Sequence, residues 1–417
     1  MDREFDVVLF GATGFVGSLT ARHLAAAAGP QLRVALAGRS AARLGTLRAQ
    51  LGDAARDWSL VAIDATDADG LRELASRTTV LATTVGPYLR YGREVVHAAA
   101  EAGTSYADLT GEVLFVRWSL DEVAAVARTS GARIVHSCGF DSIPSDLGVL
   151  LTAQRATADG EGTLAETTLV VRTMRGGISG GTIDSFRSQV LAARNDAAAR
   201  RVLRDPYALS PRRSQEPALP HRDPRLGRGS LRALAPGRDP DTGHWLGPFV
   251  MAGYNTRLVR LSNALTDWSY GRGLAYREVS DVGSGPAGPL RAAGTAIGLA
   301  VLQAGMSWSP TRAVLDRFLP APGEGPSAEQ RSAGRFGMEV TGTTTTGARY
   351  RTTVGAGHDP GYGGTAIMLA ESALCLALDR ERLPARSGVL TPATAIGDVL
   401  AERLRPHGFT FDVERLS

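Results

Sequence analysis

The stretch that most constrains this chain lies at its start. An apolar run, Phe5–Phe10, passes without a break into Gly11-Ala12-Thr13-Gly14-Phe15-Val16-Gly17 and then into a helical pattern. A glycine turn between a first strand and a first helix is what a βαβ unit needs to hold a dinucleotide. Gly11 permits the tight turn, and Gly14 lets the backbone approach a pyrophosphate whose charge rests at the helix N-terminus. Gly17 allows close helix–sheet packing. Thr13, Phe15 and Val16 complete the phosphate-binding turn.

The rhythm continues. Apolar runs at Phe5–Phe10, 32–37, 59–63, 80–83, 105–109 and 133–136 alternate with alanine-rich helical patterns. That alternation predicts an α/β fold, with a parallel sheet forming a Rossmann domain over residues 1–147. Beyond it, 166–173, 336–345 and 348–356 alternate like half-buried strands. They predict an inserted α+β domain over 148–360 with a largely antiparallel sheet, for substrate binding or dimerisation. Within it, 204–243 is dense in Pro, Arg, Asp and Gly and reads as a long loop. Helical patterns at 362–379 and 395–404, then an apparent strand at 410–413, suggest that 361–417 returns to the first domain.

The end of the second strand selects the cofactor. An NAD site places Asp or Glu there for the ribose 2′-hydroxyl. This chain has Gly38, Arg39 and Ser40, with Arg43 nearby, and a guanidinium suits a 2′-phosphate. We therefore expect NADP(H), with Ser40 also suited to N-cap the next helix. Asp64, closing the third strand, should border the adenine. Thr84, Gly86 and Pro87, after the fourth, should pass beneath the nicotinamide.

Composition removes alternatives. All 46 basic residues are arginines; there is no lysine for a Schiff base, a Walker P-loop or a Tyr–Lys dehydrogenase pair. The net charge of +4 comes with no basic run interleaved with aromatics, so a solvated arginine surface is expected rather than nucleic-acid binding. Cys138 and Cys375 match no disulfide framework or metal-ligand spacing, and no metal is expected. Residues 1–4 are polar, unlike a signal peptide, which fits a cytoplasmic protein. Residues 292–308 carry no charge over 17 positions, slightly short of a membrane span. They read as a buried or partner-facing helix, or alternatively as a surface that meets lipid or an acyl chain.

Further motifs extend along the chain: AGRS at 37–40, TTVGPY at 83–88, YADLTGE at 106–112, CGFDSIPSD at 138–146, SGGTIDS at 179–185, PFVMAGYNTRLVRLSNAL at 248–265 and DPGYGGTAIMLAESALCLAL at 359–378. With GATGFVG, and over essentially its whole length, the chain resembles the saccharopine-dehydrogenase-like oxidoreductases, most closely the actinobacterial trans-acting enoyl reductases. The resemblance implies a Rossmann domain, an inserted α+β domain, NADP(H), and reduction of a carbon–carbon double bond on an acyl or polyketide-type chain held by a carrier protein. A carbonyl or imine acceptor, or cofactor binding without turnover at a lipid surface, are the alternatives.

Enoyl reduction needs a hydrogen-bond donor for the developing enolate oxygen and a proton for the α-carbon. Tyr88, beside the nicotinamide loop, is the first candidate for either task, with Asp141 and Ser142 next; Asp141 could instead cap the following helix. Glu112 could orient the nicotinamide or cap a helix. His136 reads as a satisfied buried imidazole, Cys138 as small apolar filling and His97 as a helix-face residue. Arg212, Arg213, Arg222, Arg225 and Arg228 could steer an acidic carrier protein.

Overall fold

The structure, a computed structural model, describes residues 3–176, 180–217, 237–307 and 325–417. Six short strands arise where the apolar runs predict them: β1 (Phe5–Phe10), β2 (Val34–Gly38), β3 (Ser59–Ala62), β4 (Thr78–Thr83), β5 (Ser105–Ala107) and β6 (Arg133–Val135). Their central members are buried on both faces, which is why they read as continuous rather than alternating apolar runs.

The second sheet draws on β7 (Leu164–Arg175), β8 (Gly237–Arg238), β9 (Trp245–Pro248), β10 (Ala275–Asp281), β11 (Arg335–Thr344) and β12 (Arg349–Ala356). Two further strands, β13 (Gly388–Leu390) and β14 (Phe409–Arg415), come from the last part of the chain. The first sheet is parallel and seven-stranded, in the order β13-β6-β5-β4-β1-β2-β3. This is the dinucleotide-binding order extended by one strand. The second also has seven strands, β14-β12-β11-β7-β10-β9-β8, antiparallel except where β7 meets β10. The expected fold class is the observed one.

The C-terminal part divides between the two sheets. β13 pairs with β6, but β14 pairs with β12, so the last strand finishes in the second sheet and not on the Rossmann domain. The expected long helix at 362–379 is the helix Thr365–Leu378, entered through one wide turn, Pro360–Gly364. That expected at 395–404 is two helices, Pro392–Ala395 and Asp398–Leu404, parted at Gly397, whose φ of 70° no helix allows. The span Pro360–Leu378 has the length and apolarity of a membrane crossing, yet most of it is buried in this fold. Of the 204–243 stretch, residues 218–236, and with them Arg222, Arg225 and Arg228, lie outside the described residues.

Candidate functional site

The carboxyl ends of the parallel strands form one wall of a cavity of about 1200 Å³. Pockets for a single small ligand usually span ~300–1,000 Å³, so there is room for the reactive end of a cofactor and a second molecule. The opposite wall comes from the helices Gly180–Asn195, Ala197–Arg204 and Ala252–Leu265.

The glycine turn behaves as its chemistry requires. Gly11 has φ of 85°, and a Cβ there would meet Thr84 Oγ1 at 2.7 Å. A Cβ on Gly17 would lie 2.1 Å from the Gly11 carbonyl oxygen, so only glycine lets the helix sit this close. Gly14 opens the helix Phe15–Ala27 with no side-chain cap and no acidic residue in its first turn. Its leading N–H groups are left for an anion. Gly14, Phe15 and Val16 line the cavity, as do Thr84, Gly86 and Pro87. The Thr84 hydroxyl donates to the Gly11 carbonyl at 3.0 Å, pinning the turn to the end of β4.

Arg39 is exposed where β2 ends. Ser40 caps the helix Ala41–Leu51, accepting from the Arg43 backbone N–H at 3.3 Å, so its hydroxyl serves the helix. The Arg43 guanidinium donates to the Thr13 carbonyl at 3.0 Å, which sets a second cation beside the turn. Asp64 accepts from the Thr66 hydroxyl at 2.7 Å and its backbone N–H at 2.9 Å. These bonds, with the charge of Arg39, hold its carboxyl below the usual range.

The catalytic candidates are rearranged. The Tyr88 ring lines the cavity, but its hydroxyl turns inward, donating to the Thr83 carbonyl at 3.3 Å and accepting from Leu109 N–H at 3.1 Å. Both hydroxyl contacts are to backbone, and burial raises its pKa well above the ordinary value. It is not aimed at a substrate. Asp141 does not cap the helix Ile143–Ala158; Ser142 stands at that N-cap, without a capping side-chain bond. The Asp141 carboxyl faces the cavity and accepts from Thr182 Oγ1 at 3.0 Å. Burial raises its pKa, against the smaller opposing effect of that hydrogen bond. Ser142 also borders the cavity and donates to Asn255 Oδ1 at 3.0 Å.

Glu112 is a structural acid. It accepts from the backbone N–H groups of Tyr88 and Leu89, each at 2.8 Å, so it caps the short helix Tyr88–Tyr91. It also accepts from Ser185 Oγ at 2.6 Å. His136 is fully buried between Asp108 at 2.7 Å and Ser119 at 3.0 Å. Cys138 is buried and its thiol is pushed up by desolvation. His97 lies edge-on to Trp118 on a helix face.

Two residues escaped the sequence reading. Ser137 sits on the cavity wall with φ of 69°, a left-handed backbone that a non-glycine residue adopts only under local constraint. Its hydroxyl donates to the Thr110 carbonyl at 2.7 Å and lies 2.5 Å from the Tyr254 hydroxyl. With the Ser137 proton used on that carbonyl, Tyr254 is the donor of the pair. Tyr254 is buried against the cavity from the second-sheet side, inside the motif at 248–265.

The uncharged stretch at 292–308 lies largely in the helix Gly288–Ser307, with Trp308 outside the described residues. It serves two surfaces: Leu299 and Met306 line the cavity, while Leu290, Ile297 and Val301 are exposed. Arg212 and Arg213 are not at the cavity; they pair with Asp267 and Asp205. Arg194, Arg200, Arg204 and Arg257 line it instead. Away from it, the fold brings His23, Glu371 and His407 together, a potential metal-ligand set that the sequence spacing hid. Both imidazoles lie within hydrogen-bond reach of Glu371 Oε1, at 2.6 and 3.0 Å, and Arg403 occupies Oε2 at 2.8 Å. The cluster ties the first helix to the C-terminal part.

Comparison with known proteins agrees with this geometry. Residues 7–135 match the family profile described as saccharopine dehydrogenase NADP binding domain. A trans-acting enoyl reductase of Mycobacterium bovis is 46% identical, covering 100% of this chain and 99% of the relative. One from Mycobacterium ulcerans is 47% identical, covering 99% of each chain. Among solved structures, saccharopine dehydrogenase (L-Glu forming) from Saccharomyces cerevisiae is similar over 99% of both chains, with a TM-score of 0.56 at 15% identity. That likeness concerns the fold. The glycine turn, the arginines at the end of β2 and the full-length identity make this chain an NADP(H)-binding oxidoreductase, and it belongs to the saccharopine-dehydrogenase-like family, within its trans-acting enoyl reductases.

Proposed function

We propose that this oxidoreductase reduces the carbon–carbon double bond of an α,β-unsaturated acyl thioester of polyketide type, presented by a carrier protein. One observation carries the reading: an acid whose pKa burial raises, Asp141, and a hydroxyl donor, Tyr254, line the same cavity as the phosphate-binding turn. When bound, NADPH supplies a hydride for the β-carbon. Tyr254, whose hydroxyl otherwise donates to Ser137, turns that proton to the thioester oxygen as negative charge develops there. Asp141 gives its proton to the α-carbon, and the Thr182 hydroxyl then steadies the carboxylate that remains. Ser142 and Asn255 hold the backbone that positions Asp141, Asn255 Nδ2 donating to the Asp141 carbonyl at 2.8 Å. Leu203, Met251, Leu299 and Met306 offer an apolar wall to the acyl chain and exclude water.

The test is NADPH oxidation with an enoyl thioester, the matching β-ketoacyl thioester and an imine supplied in parallel. We expect turnover with the enoyl substrate, product mass higher by two hydrogens, and little with the others. Faster reduction of the ketone or imine would overturn the assignment.

A further inference from the structure

The wall of the cavity that faces the parallel strands carries a charge that the reduction itself does not need. Arg200, Arg204 and Arg257 line it from two neighbouring helices of the second-sheet region, Ala197–Arg204 and Ala252–Leu265. We propose that these three arginines form an anion subsite, and that it takes the phosphate of a phosphopantetheine-linked acyl thioester; the thioester half of this inference rests on the function proposed above.

The hydrogen bonds of these side chains fix their position without neutralising them. Arg257 donates from Nε to the Asp205 carbonyl at 2.9 Å and from Nη2 to the Leu203 carbonyl at 2.8 Å, with Nη1 on the Gly253 carbonyl. Arg200 Nη1 donates to the carbonyls of Ala193 and Arg194 at 2.8 and 3.0 Å. Arg204 is exposed and has no hydrogen-bond or ion-pair partner among the described residues. Carbonyls orient a guanidinium but carry no net charge, and each has five N–H groups, so donors remain for an anion. Of the carboxylates on the cavity wall, Asp184 is paired with Arg187 at 3.2 Å and Asp141 is held toward its neutral form. Burial, and the neighbouring charge of Arg260, lower the Arg257 pKa to about 10 against the opposing charge of Asp205, a carboxylate that Arg213 already engages at 2.8 Å.

The cofactor cannot be what these arginines serve. Its 2′-phosphate belongs at Arg39, beyond β2, on one side of β1 in the strand order. The arginine helices sit toward β5, on the other side. Met251, at the N-cap of the helix Ala252–Leu265, lies against Gly111 after β5, and Arg117 reaches the Ala208 carbonyl, just past the helix Ala197–Arg204, at 3.1 Å. The ligand that fits carries an anionic head set apart from its reacting carbons. Three guanidinium groups match the several acceptor oxygens of a phosphate better than the two of a carboxylate.

The experiment compares ligands that differ by one phosphate. NADPH-loaded protein is titrated calorimetrically with pantetheine and with 4′-phosphopantetheine, and turnover is followed on the enoyl thioester of each. The phosphate is expected to lower Kd and KM by roughly tenfold or more, and Arg204→Ala or Arg257→Met should bring both ratios toward one. Arg204 is exposed, so its variant tests the idea even if Arg257→Met fails to fold. Coenzyme A and carrier-protein thioesters run beside them identify the source of the phosphate. Equal binding of the two ligands by the wild type, or equal weakening of both in the arginine variants, would overturn the subsite. So would an acyl pantetheine ending in a free carboxylate that bound better than the phosphorylated form. If phosphate discrimination depends on Arg204 but no enoyl thioester turns over, the subsite stands and the proposed reaction falls; turnover without discrimination is the reverse.

Discussion

Thr182 Oγ1 donates a hydrogen bond to Asp141 at 3.0 Å, joining the helix Gly180–Asn195 to the loop that follows β6. The two residues belong to different layers of the fold, so the second-sheet region completes the environment of an acid carried by the dinucleotide-binding domain. The bond stabilises the charged carboxylate, while burial works the other way and prevails.

The pH profile should report this balance. An acid acting as proton donor must be protonated, so kcat/KM should fall as pH rises through the raised pKa of Asp141. Thr182→Val removes a bond that favours the anion; the pKa then rises further, and the falling limb should move to higher pH. Asp141→Asn should abolish the limb and reduce kcat by about 10²–10⁴-fold, the usual share of a general acid. An unmoved limb in both variants would assign the proton to another group.

The two tyrosines at the cavity make opposite predictions. Tyr254→Phe removes the donor proposed for the enolate oxygen, so kcat should drop by about 10²–10³-fold with the melting temperature little changed. Tyr88→Phe leaves the partly buried Leu109 N–H without its acceptor, which should cost about 1 kcal/mol of stability and spare kcat. Denaturation curves and single-turnover rates on the purified variants separate these outcomes. A Tyr88→Phe protein that is stable but slow would return the catalytic role to Tyr88.

What the sequence made legible was local chemistry. The Gly11–Gly17 contact closes within a single turn, and the parallel strands announce themselves by apolar runs that need no partner to be read. Side-chain direction was not legible. Whether the Tyr88 hydroxyl faces substrate or backbone depends on the Leu109 amide, which another strand delivers. The cavity arginines were hidden for a related reason. They are isolated letters in helical patterns, and only packing of the helices Ala197–Arg204 and Ala252–Leu265 brings them together. The more conspicuous Arg212 and Arg213 are consumed by local ion pairs. Likewise β8 and β9, of 2 and 4 residues, are too brief to stand out, and β10 carries Arg277, Glu278 and Asp281 within its 7 residues.

Cofactor choice should follow the arginines after β2. The protein should bind NADPH more tightly than NADH, and Arg39→Asp should narrow or reverse the preference. Loss of one charge-assisted phosphate contact costs about 1.5–3 kcal/mol, or roughly ten- to a hundredfold in Kd. Arg43→Ala should have a smaller effect on the same ratio, because its guanidinium is partly engaged by the Thr13 carbonyl. Fluorescence titration with both nucleotides measures the ratio directly, and equal wild-type affinities would remove Arg39 from the site.

The glycine turn separates binding from folding at two positions three residues apart. Gly14 has an ordinary φ of −72°, and a Cβ there would meet the Gly11 carbonyl oxygen at 3.3 Å, a tight contact that a small shift of the turn relieves. The chain can therefore tolerate a side chain at Gly14, but the pyrophosphate cannot, since it must lie against the N–H groups that open the helix. Gly14→Val should fold and melt near the wild type while NADPH affinity falls by roughly a hundredfold, about 2.7 kcal/mol. Gly17 is the contrary case. Its Cβ would overlap the Gly11 carbonyl oxygen at 2.1 Å, which no rotamer can relieve. Gly17→Ala must push the helix from the sheet, and should lower stability by about 1–3 kcal/mol as well as weakening the cofactor. Thermal denaturation with and without NADPH decides both. A Gly14→Val protein that kept wild-type NADPH affinity would move the phosphate away from this turn, and a Gly17→Ala protein of unchanged stability would mean that the helix is free to shift.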